Sequence, residues 1–74
     1  MKITYDKEAD CAYIEFIGDV SPAHFITEIS PSDEFGETFE MNLDITEDGK
    51  LAGIEIVFAS HAFTQEMLDS FQQL

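Results

Sequence analysis

From Phe39 to Thr46 the chain alternates strictly. Phe39, Met41, Leu43 and Ile45 are apolar, and Glu40, Asn42, Asp44 and Thr46 between them are polar. Such a period of two is the signature of a half-buried antiparallel strand. The run leads into Glu47-Asp48-Gly49-Lys50, and an Asp-Gly pair between two alternating segments is a strong hairpin signal. Beyond it, Ala52, Ile54, Ile56 and Phe58 stand opposite Gly53, Glu55 and Val57. A hairpin centred on residues 47–50 is therefore expected, with Phe39, Met41, Leu43, Ile45, Ile54 and Ile56 largely buried.

Three earlier segments follow the same period. Ile3 and Tyr5 share one side of the first. In the second, Ala12, Ile14 and Phe16 oppose Tyr13, Glu15 and Ile17. The third, near Ala23 to Ile29, offers both Phe25-Thr27-Ile29 and Ile26 to the core. The first two are joined by the polar connection from Asp6 to Asp10, whose carboxylates can accept bonds from nearby backbone N–H groups. Gly18-Asp19 and Ser21-Pro22 break the chain after the second. Ser30 to Glu37, with Pro31, Gly36 and three carboxylates, reads as an acidic loop.

The C-terminus changes period. Phe63, Met67, Phe71 and Leu74 recur at helical spacing with Leu68 beside them, which describes one apolar stripe. Thr64 is the expected N-cap, with Ser60 as the alternative start. Glu66 then lies in the first turn, where the helix dipole favours negative charge. Phe63 and Leu68 take the positions of a hydrophobic staple. Such a stripe needs a surface to cover, and the apolar face of the sheet supplies one. The expected fold is α+β: a four- or five-stranded, mainly antiparallel β-meander packed by one C-terminal α-helix, in a single domain.

The chain has 74 residues, a size at which only about 60% of the unfolded surface is buried and the core is marginal. Cys11 is the only cysteine, so a disulfide within the chain cannot help. Oligomerisation is the remaining common route to stability, and a homodimer through a sheet edge or through the helix stripe is expected. No apolar run is long enough to cross a bilayer and no signal segment follows Met1, so a cytoplasmic location is expected.

Sixteen acidic residues face three lysines, for a formal net charge of −13. Nucleic acid and anionic membrane surfaces need Lys and Arg to bind them, so neither is an expected partner. A basic protein would be attracted at long range. Glu15, Glu40, Asp44 and Glu55 each lie opposite apolar neighbours in their strands, which makes them the candidate partner-binding face. The competing reading is a solvated face that maintains solubility.

Other chemistry finds less support. Asp44 to Glu55 has the length of an EF-hand calcium loop, with Asp, Asp, Gly and Glu at the first, fifth, sixth and twelfth places. An EF-hand needs a helix on each side, and here both flanks have a period of two. Cys11, His24 and His61 lack the paired local spacing of a zinc site. Exposed strand carboxylates lack the burial that acid–base catalysis requires. No catalytic residue, metal ligand or cofactor is assigned.

Two segments resemble a family of short prokaryotic proteins known as domain of unknown function 2283. Tyr5-Asp6, Glu8-Ala9-Asp10 and Tyr13-Ile14 match its opening strand, turn and strand, and Gly49, Leu51, Gly53, Ile54, Glu55 and Ile56 match its closing pattern. The resemblance implies a compact β-rich domain with no established activity, and an antitoxin-like role for members that sit beside small toxin-like proteins. The middle of this chain is longer and more acidic than the family pattern, and the helix from Thr64 is an addition to it. The expected function is a non-catalytic acidic interaction module that binds a basic protein partner. The alternatives are a structural or regulatory homodimer and a small carboxylate-based cation-binding protein or enzyme.

Overall fold

The computed structural model describes residues 1–17, the backbone of 25–29, and residues 38–74. The elements run β1 (Lys2–Asp6), β2 (Cys11–Glu15), β3 (Phe25–Ile29), β4 (Glu40–Ile45), β5 (Leu51–Val57), α1 (Ala59–Ala62), α2 (Gln65–Ser70) and the two-residue β6 (Gln72–Gln73). The sheet order is β3-β4-β5-β2-β1-β6. Every pairing is antiparallel except that of β6 with β1. The α+β class with a mainly antiparallel sheet is therefore as expected, but the strands are not one meander. β3, β4 and β5 follow one another, and β5 then lies against β2, which joins the first hairpin to the second.

Both short turns are built by local bonds. In the first, Asp6 Oδ1 accepts from the N–H groups of Glu8 (3.1 Å) and Ala9 (3.3 Å). In the second, Gly49 N–H donates to Thr46 O (2.9 Å) and Thr46 N–H to Lys50 O (2.8 Å). Gly49 has φ 84°, whereas Asp48 is not left-handed. The glycine alone takes the position closed to side chains, and the ladder accommodates it by a register shift between Asp44 and Ile45. The stretches Gly18-Asp19, Ser21-Pro22 and Ser30 to Glu37 lie outside the described residues.

The C-terminal helix is two pieces. Phe63 is extended (φ −123°, ψ 152°) and interrupts it. Thr64 is the N-cap of the second piece, its side chain accepting from Met67 N–H at 3.2 Å, with Glu66 in the first turn. The apolar stripe needs correction. Leu68 is buried at 2% exposure, whereas Met67 and Leu74 are 46% and 76% exposed. The break at Phe63 and Thr64 rotates α2 so that Leu68 meets the sheet. Phe63 and Phe71 then pack edge to face, 5.2 Å between centroids. The chain leaves α2 toward β1, where Leu74 N–H donates to Tyr5 O at 3.0 Å.

The core is one cluster of Tyr5, Ala12, Ile56, Ala59 and Leu68, with Ile14, Phe39, Met41, Ile54, Ala62, Phe63 and Phe71 packed around it. Of the six hairpin residues expected inside, only Ile56 is fully buried. Phe39, Met41, Leu43, Ile45 and Ile54 are half-buried. Two helices of four and six residues cover the sheet where β1, β2 and β5 meet, and of β4 only Met41 packs against this cluster. Phe58, expected on the apolar face, is 48% exposed because the strand ends at Val57 and Phe58 turns to φ 59°.

This distribution orders the cost of truncation. Ile56→Ala should cost about 2–5 kcal/mol, as for a buried large-to-small change. Leu43→Ala should cost less than half of that, because its side chain already meets water. Urea unfolding of both variants checks the order, and equal losses would contradict it.

Candidate functional site

The helices occupy one face of the sheet. On the other, cross-strand register lays the side chains out in three rows. Glu40, Val57, Cys11 and Asp6 form the first; Asn42, Glu55, Tyr13 and Thr4 the second; Asp44, Gly53, Glu15 and Lys2 the third. Glu15, Glu40, Asp44 and Glu55 thus share this face, all half-buried. No two of them stand directly opposite one another, so the direct cross-strand repulsion between like charges is avoided. Asp6 is a fifth carboxylate on the face, which its place at a turn obscured in the sequence.

Gly53 organises the third row. A Cβ built there would lie 2.2 Å from the Tyr13 hydroxyl oxygen and 2.9 Å from Ile14 O. The phenol of Tyr13 fills the space that a side chain would take, reaches across β5, and donates from its hydroxyl to Asp44 Oδ2 on β4 (2.6 Å). An aromatic ring laid over a strand glycine both covers exposed backbone and pins register. In the second row, Asn42 Nδ2 donates to Glu55 Oε1 at 2.9 Å. Two of the four predicted carboxylates are therefore held in fixed positions by neighbours on the face.

Burial is the first cause that pushes the Tyr13 hydroxyl up to about 12, followed by the bond to Asp44 and the charges of Asp44, Glu15 and Glu55. The Cys11 thiol is also raised, first by burial and then by Glu55, Asp10 and Asp6. Such a thiol stays protonated and is a poor nucleophile. Its Sγ donates to Ala9 O at 3.4 Å.

A second cluster lies at the end of the first hairpin. Asp10, at φ 53°, accepts from the Tyr5 hydroxyl (2.8 Å), the Ser60 N–H (2.9 Å) and the Ser60 hydroxyl (2.6 Å). Its backbone carbonyl accepts from Ala59 N–H at 2.8 Å. His61 Nδ1 lies 3.0 Å from Thr38 O, and its ring stacks on Phe58. Ser60, Asp10 and His61 are thus near neighbours. The serine hydroxyl, however, donates to the aspartate rather than to an imidazole, which is not the order of a nucleophile relay.

The calcium-loop segment is flanked by β4 and β5, not helices. Asp44 accepts from Tyr13, and the Thr46 hydroxyl donates to Asp48. Among the described residues, no three His, Cys, Asp or Glu side chains are grouped to hold a metal ion. His24 lies outside the described residues. No helix among them is long and apolar enough to cross a membrane.

Residues 2–60 match the family described as protein of unknown function (DUF2283), and the chain belongs to that family. No curated protein and no solved structure matches it. The matched span runs from β1 to Ser60, the residue that Asp10 holds. The helix α2 and β6 lie beyond it.

Two outcomes follow from the Tyr13–Gly53 contact and the tyrosine environments. Gly53→Ala should be destabilising, and Tyr13→Ala should recover part of that loss when the two are combined, with a coupling of about 0.5–3 kcal/mol. Additive losses in a double-mutant cycle would separate the two residues. In the native state Tyr13 ionises near 12 and Tyr5 is raised as well, first by its bond to Asp10. A raised folded value means that the stabilisation is complete below the ordinary midpoint of 10.0 and is lost as pH climbs through the folded value. Tyrosinate absorbance should therefore appear above pH 10.0 in the native protein and near its ordinary midpoint in urea. Coincident titrations would contradict this.

Proposed function

We propose that this chain is a non-catalytic protein–protein interaction module that acts inside the cell and docks a basic protein partner on the acidic face of its sheet, in the manner of an antitoxin. The observation that carries this reading is the segregation of the two faces. Among the described residues, Glu15, Glu40, Asp44, Glu55 and Asp6 share the face opposite the helices with Lys2 alone as a cation. A net charge of −13 extends the field of that face into solution. Asp44 and Glu55 are preorganised by Tyr13 and Asn42, which lowers the ordering cost of meeting a partner.

Glu15 and Glu40 are the informative positions, because changing Asp44 would also release Tyr13. Glu15→Lys combined with Glu40→Lys should cut the association rate for the partner about tenfold or more at low salt and leave folding intact. Capture from the source cell at low and high salt, followed by kinetics with the purified partner, checks this. Recovery of no basic partner, or an unchanged rate, would reduce the face to a solubility device.

A second reading, the structural homodimer, is favoured by the thinness of the core. Among the described residues, those buried and apolar are Tyr5, three alanines, Ile56 and Leu68, and no large side chain is fully buried. Domains this small usually need reinforcement from outside one copy.

A further inference from the structure

The edge of the sheet at β3 carries an inference that rests on the homodimer reading and gives it an interface. Hydrogen-bond parity shows which backbone groups reach that edge. Phe16 N–H donates to Ala52 O at 2.9 Å. In an antiparallel ladder, bonded pairs alternate with non-bonded ones. Ile14–Ile54 and Ala12–Ile56 are therefore the bonded pairs between β2 and β5. It follows that Gly53, Glu55 and Val57 bond to β4, and that Met41, Leu43 and Ile45 bond to β3. The same parity, carried the other way, points the Tyr5 carbonyl out of the β1–β2 hairpin, and it accepts from Leu74 N–H there. On β3, then, Phe25, Thr27 and Ile29 bond to β4, and the N–H and C=O groups of Ile26 and Glu28 point outward.

Among the described residues, nothing pairs with those outward groups. The opposite edge of the sheet is occupied by β6. Unpaired edges template pairing with another strand, and charge or proline normally blunts them. This strand has no proline and no lysine. Its one charge is Glu28, in a chain with sixteen acidic residues.

We propose that two copies of this chain pair antiparallel through β3, about a two-fold axis at Thr27, so that the sheets become continuous. Parity, charge and bond count select this register, because an axis at Ile26 would form one bonded pair within Phe25–Ile29 where the axis at Thr27 forms two. Ile26 of each copy exchanges its backbone bonds with Glu28 of the other, and Phe25 stands opposite Ile29. A shift that placed Glu28 opposite itself would set carboxylate against carboxylate. In the proposed register each Glu28 is flanked by Asn42 of its own β4 and by Ile26 of the other copy. The two acidic faces become one surface, twice as long, on the same side of the joined sheet.

Cysteine cross-linking in a Cys11→Ala background tests the register. Thr27 meets its own copy as a non-bonded pair with Cα atoms about 4.5 Å apart, which is within disulfide reach. Thr27→Cys should give a covalent dimer on mild oxidation with a copper–phenanthroline catalyst. Phe25→Cys and Ile29→Cys should not, because each lies about 13 Å from its own copy. Ile26→Pro should convert the dimer to monomer in sedimentation without loss of sheet signal, because its N–H makes no bond to β4. A dimer that fails to cross-link at Thr27, cross-links equally at Phe25, or survives Ile26→Pro overturns this interface and leaves the homodimer reading standing. A wild-type chain that sediments only as monomer at ~100 μM, where even weak dimers populate, overturns both.

Discussion

The carboxylate of Asp10 joins the parts of this structure that the chain does not join directly. It closes the β1–β2 turn in a left-handed conformation, receives the Tyr5 hydroxyl from β1, and receives both the N–H and the hydroxyl of Ser60 at the start of α1. The residue at the N-cap of α1, Phe58, makes no side-chain cap bond. The first turn of a helix carries N–H groups without helical partners, and here an aspartate fifty positions earlier in the chain serves two of them through its side chain and its carbonyl. Burial would raise Asp10, but the hydrogen bonds from Ser60 and Tyr5, with the charge of His61, outweigh it and hold the carboxyl below its ordinary range. A depressed folded value means that this stabilisation is present at neutral pH and is lost as pH falls through that value.

That clamp decides which face of the sheet is covered. With α1 fixed beside the first turn, Ala59 and Leu68 fall on Tyr5, Ala12 and Ile56. The opposite face is ordered by a different device, the Tyr13 ring laid over Gly53 and bonded to Asp44, which ties three adjacent strands together. The result is a small sheet with one end of one face packed and the other face polar, acidic and held in place by its own side chains.

Much of this was legible in the chain. Strict alternation at Met41–Ile45 and Ile54–Ile56, and the turn chemistry of Asp6 and Gly49, led directly to strands, hairpins and the shared face of Glu15, Glu40, Asp44 and Glu55. Thr64 was legible as a cap because capping is local. What was not legible depends on contacts between residues distant in sequence. The pairing of β5 with β2 sets the sheet order, and no local pattern encodes it. Gly53 carries no local sign of its role, because the Tyr13 ring that excludes its side chain comes from another hairpin. Asp10 looked like one more turn carboxylate, because Ser60 is fifty residues away. Period alone also overstates burial: it tells which face Leu43 belongs to but not how far two short helices extend over it, and it misplaces Met67, because the break at Phe63 turns Leu68 to the sheet instead.

Asp10→Asn isolates the clamp, since asparagine tolerates the left-handed conformation but has no second oxygen to receive the Ser60 hydroxyl. Amide hydrogen exchange resolves its effect by element. The account predicts that protection falls at Ala59, Leu68 and Leu74, the amides bonded to Asp10 O, Thr64 O and Tyr5 O, while the β4–β5 ladder exchanges as in the wild type. Unchanged protection at those three amides, or an equal loss across the whole sheet, would contradict the claim that Asp10 docks the helices on the face opposite the acidic one.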